Sequence, residues 1–314
     1  METGTDLITF YNPEFWGVSS EEQIQLLAEK DPRFFWTKIL DTLSGTGVSG
    51  IELTFPPFNW ETALHAFGSR ENLIRELKTR NLEIWSSFFA DLDRIPLSEH
   101  RSAEPKILKA VAAAAEFLAS VGGKILVIGL PCRTTWLAEP VQFVDMALAQ
   151  PMADLLNQMG AVTARAGVTL ALHTEANSVF CAPRDVDLFM LLTDPRYVSL
   201  CLDPAHVTIE GGDPVKLLDR HLERVVAMHW KDASGIMPLT ITIDETIYAQ
   251  HRPYFRPIGQ GSVNFPKLAT LLEKAPLKCG PILEMDSCAH PAEVLDSGAR
   301  FIESIYGHAE RPCV

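Results

Sequence analysis

The chain has 314 residues, 47% of them hydrophobic, and its 40 acidic and 27 basic side chains give a net charge of −13. This length allows a large buried core, in one large α/β barrel or in two average domains. The acidic balance, without a basic run interleaved with aromatic residues, argues against nucleic acid as a partner. No apolar stretch approaches the ~20 residues needed to cross a bilayer, which argues against a membrane-spanning protein.

Eight apolar runs rich in β-branched and aromatic residues follow one another along the chain. They cover residues 7–11, 48–55, 82–89, 124–130, 170–175, 198–203, 225–229 and 281–284. Near-continuous apolar strands are what a parallel sheet covered on both faces requires. Helical patterns separate them, including residues 62–80, 104–121 and 141–166 and the helices opened by Pro183 and Pro214.

This alternation predicts an α/β fold, a (β/α)₈ barrel that forms a single domain over residues 1–314. A doubly wound sheet is the alternative, weakened because no glycine-rich phosphate loop follows the first strand. The connection at about residues 231–265 is much longer than the others and rich in proline and aromatic residues. A connection of this length in a compact barrel is expected to lie over the active site.

Four strands in the second half of the chain end on potential metal ligands. These residues are Glu175, Asp203, His229 and Glu284. Parallel barrels build their active sites from the carboxyl ends of several strands, and such side chains are rarely buried unless they are paired or bind a metal. Two Glu, one Asp and one His form an oxygen-rich set that suits Mn²⁺ or Mg²⁺ and also accepts Co²⁺ or Fe²⁺.

The fifth strand carries a second chemical group beside its candidate ligand. His173 and Glu175 alternate with Thr174, so both face the same side if the strand stays extended. An imidazole and a carboxylate in one site are candidates for acid/base chemistry, as is Glu284 at the last strand.

A further group of side chains is expected to contact the substrate. His206 follows Asp203 by three residues and is expected to turn toward the substrate from the same loop, as a catalytic and binding residue. Lys231 is expected to hold a substrate hydroxyl or to orient Glu284. The full set of candidate substrate-binding residues is Glu52, Arg133, His206, Lys231 and Arg256. For Glu52, at the end of the second strand, support of a neighbouring ligand is the alternative to substrate contact.

The six cysteines show no CxxC spacing, and they are Cys132, Cys181, Cys201, Cys279, Cys288 and Cys313. The N-terminal residues METGTD are acidic and lack the apolar region of a secretory signal. We therefore expect reduced thiols and a soluble cytoplasmic protein.

Five segments resemble those of a known family: GVTLALHTE, LCLDPAHVTIEGGDP, VVAMHWKD, RPIGQGSVNF and PILEMD. Their order and spacing resemble the xylose isomerase-like TIM-barrel superfamily, the sugar phosphate isomerase/epimerase group. The match covers most of the chain and is strongest over about residues 167–300. The LDxxH segment followed by GGDP, and LEMD followed by SGARF, resemble inosose dehydratases most.

The resemblance implies a divalent metal, commonly Mn²⁺, bound by Glu175, Asp203, His229 and Glu284. It also implies that His206 contacts the substrate. The fifth strand departs from the family, since related epimerases carry a glutamate about where His173 stands and dehydratase-like members often have a second His where Glu175 stands. The fifth-strand ligand is thus open between His173 and Glu175, and we favour Glu175.

The chemistry that the resemblance implies is performed on a keto-sugar or keto-cyclitol. A keto-sugar chelates the metal through its carbonyl and an adjacent hydroxyl, the neighbouring C–H becomes acidic, and a base removes that proton. Loss of a β-substituent then gives a lyase of the dehydratase or C-glycoside deglycosidase type, which the dehydratase-like segments favour.

Two alternatives remain from the sequence. Reprotonation of the same enediolate gives a sugar isomerase or epimerase, and a non-catalytic barrel would serve as a subunit or scaffold. Barrels of this group often form oligomers, so we expect a homo-oligomer or, for a deglycosidase, a complex with a second, different subunit.

Overall fold

The computed structural model describes residues 2–92, 95, 99–133, 142–238, 240–244 and 246–307. The strands are β1 (Thr3–Asp6), β2 (Val48–Leu53), β3 (Glu83–Phe89), β4 (Ile125–Ile128), β5 (Thr169–His173), β6 (Val198–Leu202), β7 (Val225–Trp230), β8 (Asp232–Ala233), β9 (Phe255–Arg256) and β10 (Ile282–Leu283). Eight of them close into a parallel barrel in the order β1-β10-β7-β6-β5-β4-β3-β2. The predicted single-domain (β/α)₈ barrel is confirmed, and the doubly wound alternative is excluded because the sheet closes on itself.

Helices surround the barrel. They are α1 (Pro13–Trp16), α2 (Glu21–Lys30), α3 (Pro32–Ser44), α4 (Trp60–Phe67), α5 (Arg70–Lys78), α6 (His100–Val121), α7 (Met146–Arg165), α8 (Pro183–Leu192), α9 (Pro204–Ile209), α10 (Pro214–Arg220), α11 (Ile247–His251), α12 (Phe265–Leu272) and α13 (Pro291–Gly307). Among the described residues, no helix is both long and apolar enough to span a bilayer. No disulfide joins the five described cysteines, and Cys313 lies outside the described residues.

The first strand lies earlier in the chain than the apolar pattern predicts. Residues 7–11 were expected to form it, but β1 is Thr3–Asp6 and Leu7–Phe10 form a 3₁₀ helix. The Asp6 carboxylate accepts a hydrogen bond of 2.6 Å from the amide of Ile8, which turns the chain away from the sheet. The prediction was wrong because Leu7 and Phe10 are buried by packing at the barrel end and not by strand pairing.

Two helices also differ from their predicted limits. The helix expected over residues 62–80 is divided into α4 and α5, because Gly68 adopts a left-handed φ of 75° and the Ser69 hydroxyl caps the next helix at Asn72. The helix expected from residue 141 begins at Met146, where the Asp145 carboxylate caps it. Residue 141 itself lies outside the described residues.

The amino-terminal end of the barrel is closed by an indole ring. Gly4 on β1 and Gly50 on β2 lie against the Trp85 side chain from β3, and a Cβ at Gly50 would come within 2.1 Å of that ring. Only glycine therefore leaves room for Trp85 there. The interior above the ring is filled by apolar side chains such as Val127, Ala171 and Ile282. The polar chemistry is thereby confined to the opposite, carboxyl end.

The long connection after β7 is folded and not an open loop. Its two ends pair as the antiparallel strands β8 and β9, with α11 between them. The Asp232 carboxylate closes its base by accepting hydrogen bonds from the amides of Gly259, Gly261 and Val263 at 2.8–3.1 Å. Residues 239 and 245 of this connection lie outside the described residues.

Candidate metal centre and active site

Four strand ends bring potential ligands together at the carboxyl end of the barrel. His173 is the last residue of β5, His229 lies within β7, and Glu284 follows β10. Asp203 follows β6 and caps α9, where its Oδ1 accepts hydrogen bonds from the amides of Ala205 and His206. This cap fixes the Asp203 carboxylate and leaves its Oδ2 facing the other three side chains.

Several atoms of this group are buried without a hydrogen bond. They are both ring nitrogens of His173, Oδ2 of Asp203 and Nδ1 of His229, the last of which lies 2.5 Å from Oε2 of Glu284. One ligand atom from each of His173, Asp203, His229 and Glu284 lies within 4.8 Å of the others. An unpaired buried polar atom costs about 1–3 kcal/mol, and more when it is charged. Convergence of such atoms fits a divalent cation, which would bind one nitrogen of each histidine together with Oδ2 of Asp203.

Glu175 lies beside this group and not within it. Its Oε2 is 3.3 Å from Nδ1 of His173, and its Oε1 is 3.3 Å from Nδ1 of His206. The other nitrogen of His173, Nε2, lies 3.7 Å from Oδ2 of Asp203. Of the two fifth-strand candidates, the structure therefore groups His173 with the remaining three side chains and directs Glu175 into the adjacent cavity.

Glu52 lies behind His229, on the side away from the cavity. Its Oε1 is 2.8 Å from Nε2 of His229, and its Oε2 accepts a 2.5 Å hydrogen bond from the Ser86 hydroxyl. Burial raises the pKa of the neighbouring Asp6 well above its usual value, helped by the charge of Glu52. Burial also acts to raise the pKa of Glu52, but the charge of His229 and its hydrogen bond outweigh this and lower it.

Lys231 lies at the centre of a second group of polar side chains in the cavity lining. Its Nζ lies 2.7 Å from Oε1 of Glu284, 2.7 Å from Oδ1 of Asp286 and 3.0 Å from Nε2 of His206. Burial acts to lower the pKa of Lys231, but the two carboxylates outweigh it and raise that pKa well above its usual value. Burial and the nearby ammonium group hold the pKa of His206 well below its usual value, so this imidazole is neutral.

The two predicted arginine contacts are engaged elsewhere. Arg133 forms an ion pair with the fully buried Asp185 and donates to the carbonyl of Ser178. The guanidinium of Arg256 donates to the carbonyls of Pro253 and Phe255 within its own loop. Neither arginine lines the cavity described below, so their placement does not support a role in substrate binding.

A cavity of about 380 Å³ opens above the ligand group. Its floor contains His173, Glu175, His206, Lys231 and Glu284, and its walls include Tyr11, Phe55, Phe88 and Tyr248. The long connection contributes Tyr248, Ala249 and Arg252 to the lining. At the rim, Arg252 forms a 2.6 Å ion pair with Glu21 of α2.

Three residues of the site were missed by sequence reasoning. Asp6 was missed because the first strand was predicted too late in the chain. Asp286 stands two residues after Glu284 in the LEMD segment, and this spacing is the signal that places it on the same side. His251 lies in the long connection, 3.9 Å from Oε1 of Glu175 through Nδ1, with its Nε2 2.8 Å from the Asn177 side-chain oxygen. No local pattern marks His251.

A (β/α)₈ barrel with buried ligands at its strand ends and a cavity above them has the architecture of a barrel enzyme. The profile of the xylose isomerase-like TIM barrel family matches residues 40–305, and the chain belongs to this family.

Known proteins support this assignment. An inosose dehydratase from Bacillus cereus (strain AH820) is 26% identical over 282 residues, which cover 82% of this chain and 92% of the relative. The IOLI protein with a bound zinc atom shares the fold at a TM-score of 0.68 and 14% identity, over 98% of this chain and 99% of the other. A xylose isomerase-like TIM barrel protein from Mycobacterium smegmatis in complex with magnesium also shares the fold, at a TM-score of 0.68 and 18% identity over 97% of each chain. The predicted resemblance and the prediction of an enzyme are confirmed.

Proposed function

We propose that the protein is a divalent-metal-dependent lyase that removes a proton next to the carbonyl of a keto-sugar or keto-cyclitol and eliminates a β-substituent. The observation that carries this proposal is the convergence of buried ligand atoms from His173, Asp203, His229 and Glu284 beneath the cavity, several of them without a hydrogen bond. Similarity to an inosose dehydratase over most of the chain favours elimination as the outcome.

His173, Asp203, His229 and Glu284 would hold the cation, so His173 replaces Glu175 in the ligand set. When bound, a divalent cation supplies Lewis acidity to a carbonyl and an adjacent hydroxyl. Two imidazoles and two carboxylates form a softer set than the predicted one, and imidazole suits Fe²⁺, Co²⁺ or Zn²⁺ better than Mg²⁺. We keep Mn²⁺ as the first candidate because two carboxylates remain, with Co²⁺ and Fe²⁺ next.

Glu175 is the proposed base. It lines the cavity, and its side chain is 15% exposed, so it can reach a bound substrate. It takes the proton from the carbon next to the carbonyl, and the C–H electron pair becomes the C=C bond as the β-substituent departs with its own bonding pair. His206 and Lys231 face the same space and bind substrate hydroxyls, and the proton that Glu175 has taken up can pass to the departing group.

The cavity lining indicates the substrate class more closely. Arg252 is paired with Glu21, and Lys231 is paired with two carboxylates, so the described lining offers neither cation as a free partner for a phosphate. The aromatic side chains Tyr11 and Tyr248 suit an uncharged substrate with an apolar group. This favours a keto-glycoside, and hence the C-glycoside deglycosidase type, over a sugar phosphate.

An isomerase or epimerase is the alternative, and one contact favours it. Glu175 lies 3.3 Å from imidazole nitrogens of both His173 and His206, so the proton it takes stays within the site and can return to substrate carbon. The predicted oligomer, second subunit and cytoplasmic location stay predictions.

The test is metal analysis of the purified protein, followed by NMR of a panel of keto-inositols and 3-keto-glucosides in D₂O, with and without EDTA. We expect about one cation per chain and EDTA-sensitive loss of the proton next to the carbonyl. A new alkene or a released aglycone identifies the lyase, whereas deuterium incorporation without elimination identifies the alternative. Absence of both bound metal and exchange would refute both.

Asp203→Asn is the sharpest variant for this test. The amide oxygen still caps α9, as Oδ1 does now, while Oδ2 is replaced by an NH₂ group that cannot bind a cation. We expect loss of turnover in a folded protein. Asp187→Asn, at an exposed carboxylate paired with Arg220, is the matched control and should leave turnover unchanged.

A further inference from the structure

A polar layer lies inside the barrel, beside His229 of the ligand group. It is formed by Asp6 of β1, Glu52 of β2 and Ser86 of β3, which occupy adjacent register positions on neighbouring strands. All three are at most 2% exposed. Barrel interiors are ordinarily filled by apolar branched side chains, and a buried carboxylate costs several kcal/mol unless it is compensated. Two buried carboxyl groups at this level therefore need a reason.

The contacts of this layer converge on one imidazole. Oε2 of Glu52 accepts a hydrogen bond from Ser86, and Oε1 lies 2.8 Å from Nε2 of His229. Oxygen atoms of Asp6 and Glu52 and a ring nitrogen of His229 lie within 4.8 Å of one another. Asp6 is held in turn by the Ile8 amide. Glu52 does not line the cavity, so the proposed reaction does not use it directly.

We propose that Glu52, held in place by Ser86 and Asp6, is a positioning residue that presents Nδ1 of His229 to the cation and thereby sets metal affinity. This inference rests on the proposed metal-dependent function. A neutral imidazole carries one N–H, and when Nε2–H donates to Glu52, the lone pair of Nδ1 points at the ligand group. The carboxylate also increases the donor strength of the ring, as outer partners of metal-binding histidines do.

His229 would then depend on Glu52 and Ser86, which do not line the cavity. Ser86 contacts Glu52 and acts on the cation only through Glu52 and His229. A change at Ser86 should therefore weaken metal binding in the same direction as a change at Glu52, and less strongly. If Glu52 were instead a direct ligand, its removal would change the number of donor atoms around the cation, and the coordination number would change with it.

The experiment is titration of the chelator-treated full chain with Mn²⁺ alone, in competition with a chelating dye, for wild type, Glu52→Gln and Ser86→Ala. We expect the dissociation constant to rise by about 10–100-fold in Glu52→Gln and by less in Ser86→Ala. The visible absorption of the Co²⁺ form should keep the wild-type coordination number in both. Glu210→Gln is the matched control, since Glu210 is half-buried and accepts a hydrogen bond from the Asn177 amide instead of contacting a ligand. Its affinity should stay within about twofold of wild type, below the outer-partner effect.

Each result decides the question. Wild-type affinity in Glu52→Gln and Ser86→Ala overturns the inference and leaves the proposed function intact, as does an equal loss in Glu210→Gln. A changed coordination number in Co²⁺-loaded Glu52→Gln also overturns it, because Glu52 would then be a ligand. If Glu52→Gln does not fold, Ser86→Ala, which keeps both carboxylates, decides alone. Failure of the wild type to bind any cation refutes the proposed function and this inference together.

Discussion

Lys231→Met is expected to destabilise the protein by removing the positive charge that holds two acidic side chains together. The Lys231 ammonium lies 2.7 Å from Glu284 and 2.7 Å from Asp286, and its side chain is 1% exposed. It also lies 3.9 Å from the centre of the Phe255 ring. Methionine keeps a long unbranched side chain against that ring, so the main loss is electrostatic.

The expected loss of stability follows from the burial of the two carboxylates that Lys231 contacts. Breaking a buried ion pair by removing one member costs about 3–5 kcal/mol. The lower end applies, because the Asp286 side chain is 17% exposed and can take up a proton when the ammonium group is gone. Burial already raises the pKa of Asp286 to about 7. We therefore expect a loss of about 3 kcal/mol in the free energy of unfolding.

Urea unfolding of the two proteins at neutral pH, without added metal, measures this loss. Lys216→Met is the matched control, because Lys216 is 77% exposed and its ion pair with Asp213 spans 3.2 Å. Exposed pairs of this kind contribute about 0–1 kcal/mol. A loss in Lys231→Met no larger than in Lys216→Met would refute the electrostatic role assigned to this lysine.

Three further predictions concern the fifth strand and the long connection. His173→Gln should raise the metal dissociation constant more than Glu175→Gln, whose effect should stay at about 10–100-fold as for an outer partner; the reverse order in a dye-competition titration would make Glu175 the ligand. Burial, with the charge of Lys231, lowers the pKa of His251 to about 3. The folded protein therefore excludes a proton that the unfolded chain binds below about pH 6.5, and stability is lost as the pH falls from there toward 3. Relative to His251→Asn, wild type should lose about 3 kcal/mol between pH 6.5 and 4 in urea titrations, and parallel curves would contradict this. Tyr248→Ala should raise KM about tenfold for a 3-keto-glucoside with an aromatic aglycone, because one aromatic contact contributes about that much binding energy. KM for a keto-inositol should stay unchanged. Equal effects on both substrates would show that Tyr248 does not contact an aglycone.

The strand ends could be predicted because they depend on local pattern and one rule of topology. Asp203, His229 and Glu284 each end an apolar run, and parallel strands that close a barrel present their carboxyl ends together. No knowledge of distant contacts is needed for this step. The described structure brings these three side chains together as the sequence predicts.

The other features of the site depend on contacts between residues that are distant in the sequence. Arg133 follows a strand end as the ligands do, yet it pairs with Asp185 some fifty residues later in the sequence. The burial of Lys231 among acidic groups depends on how β7 and β10 lie side by side. Asp6 escaped prediction for a different reason, since four polar or small residues form β1 and the more apolar run after it forms a 3₁₀ helix.

The fifth strand shows why spacing alone could not choose its ligand. His173 and Glu175 lie two positions apart and face the same side, so pattern treats them as equivalent. Geometry separates them, since His173 has one nitrogen near Asp203 and the other near Glu175. Both proposed ligand histidines then have a carboxylate on the far side of the ring, Glu175 for His173 and Glu52 for His229.

This arrangement also bears on the substrate. A ligand set of two neutral imidazoles and the carboxylates of Asp203 and Glu284 balances the two positive charges of the cation, whereas Glu175 as a ligand would add one negative charge. A cation held by this set would keep more of its Lewis acidity for the substrate carbonyl, and Glu175 would stay available to remove the proton beside it, as proposed above. A balanced centre offers no excess positive charge to a phosphate group, which agrees with the paired state of Lys231 in the cavity wall. If the cation binds as proposed, the histidine at position 173 favours an uncharged keto-sugar over a sugar phosphate.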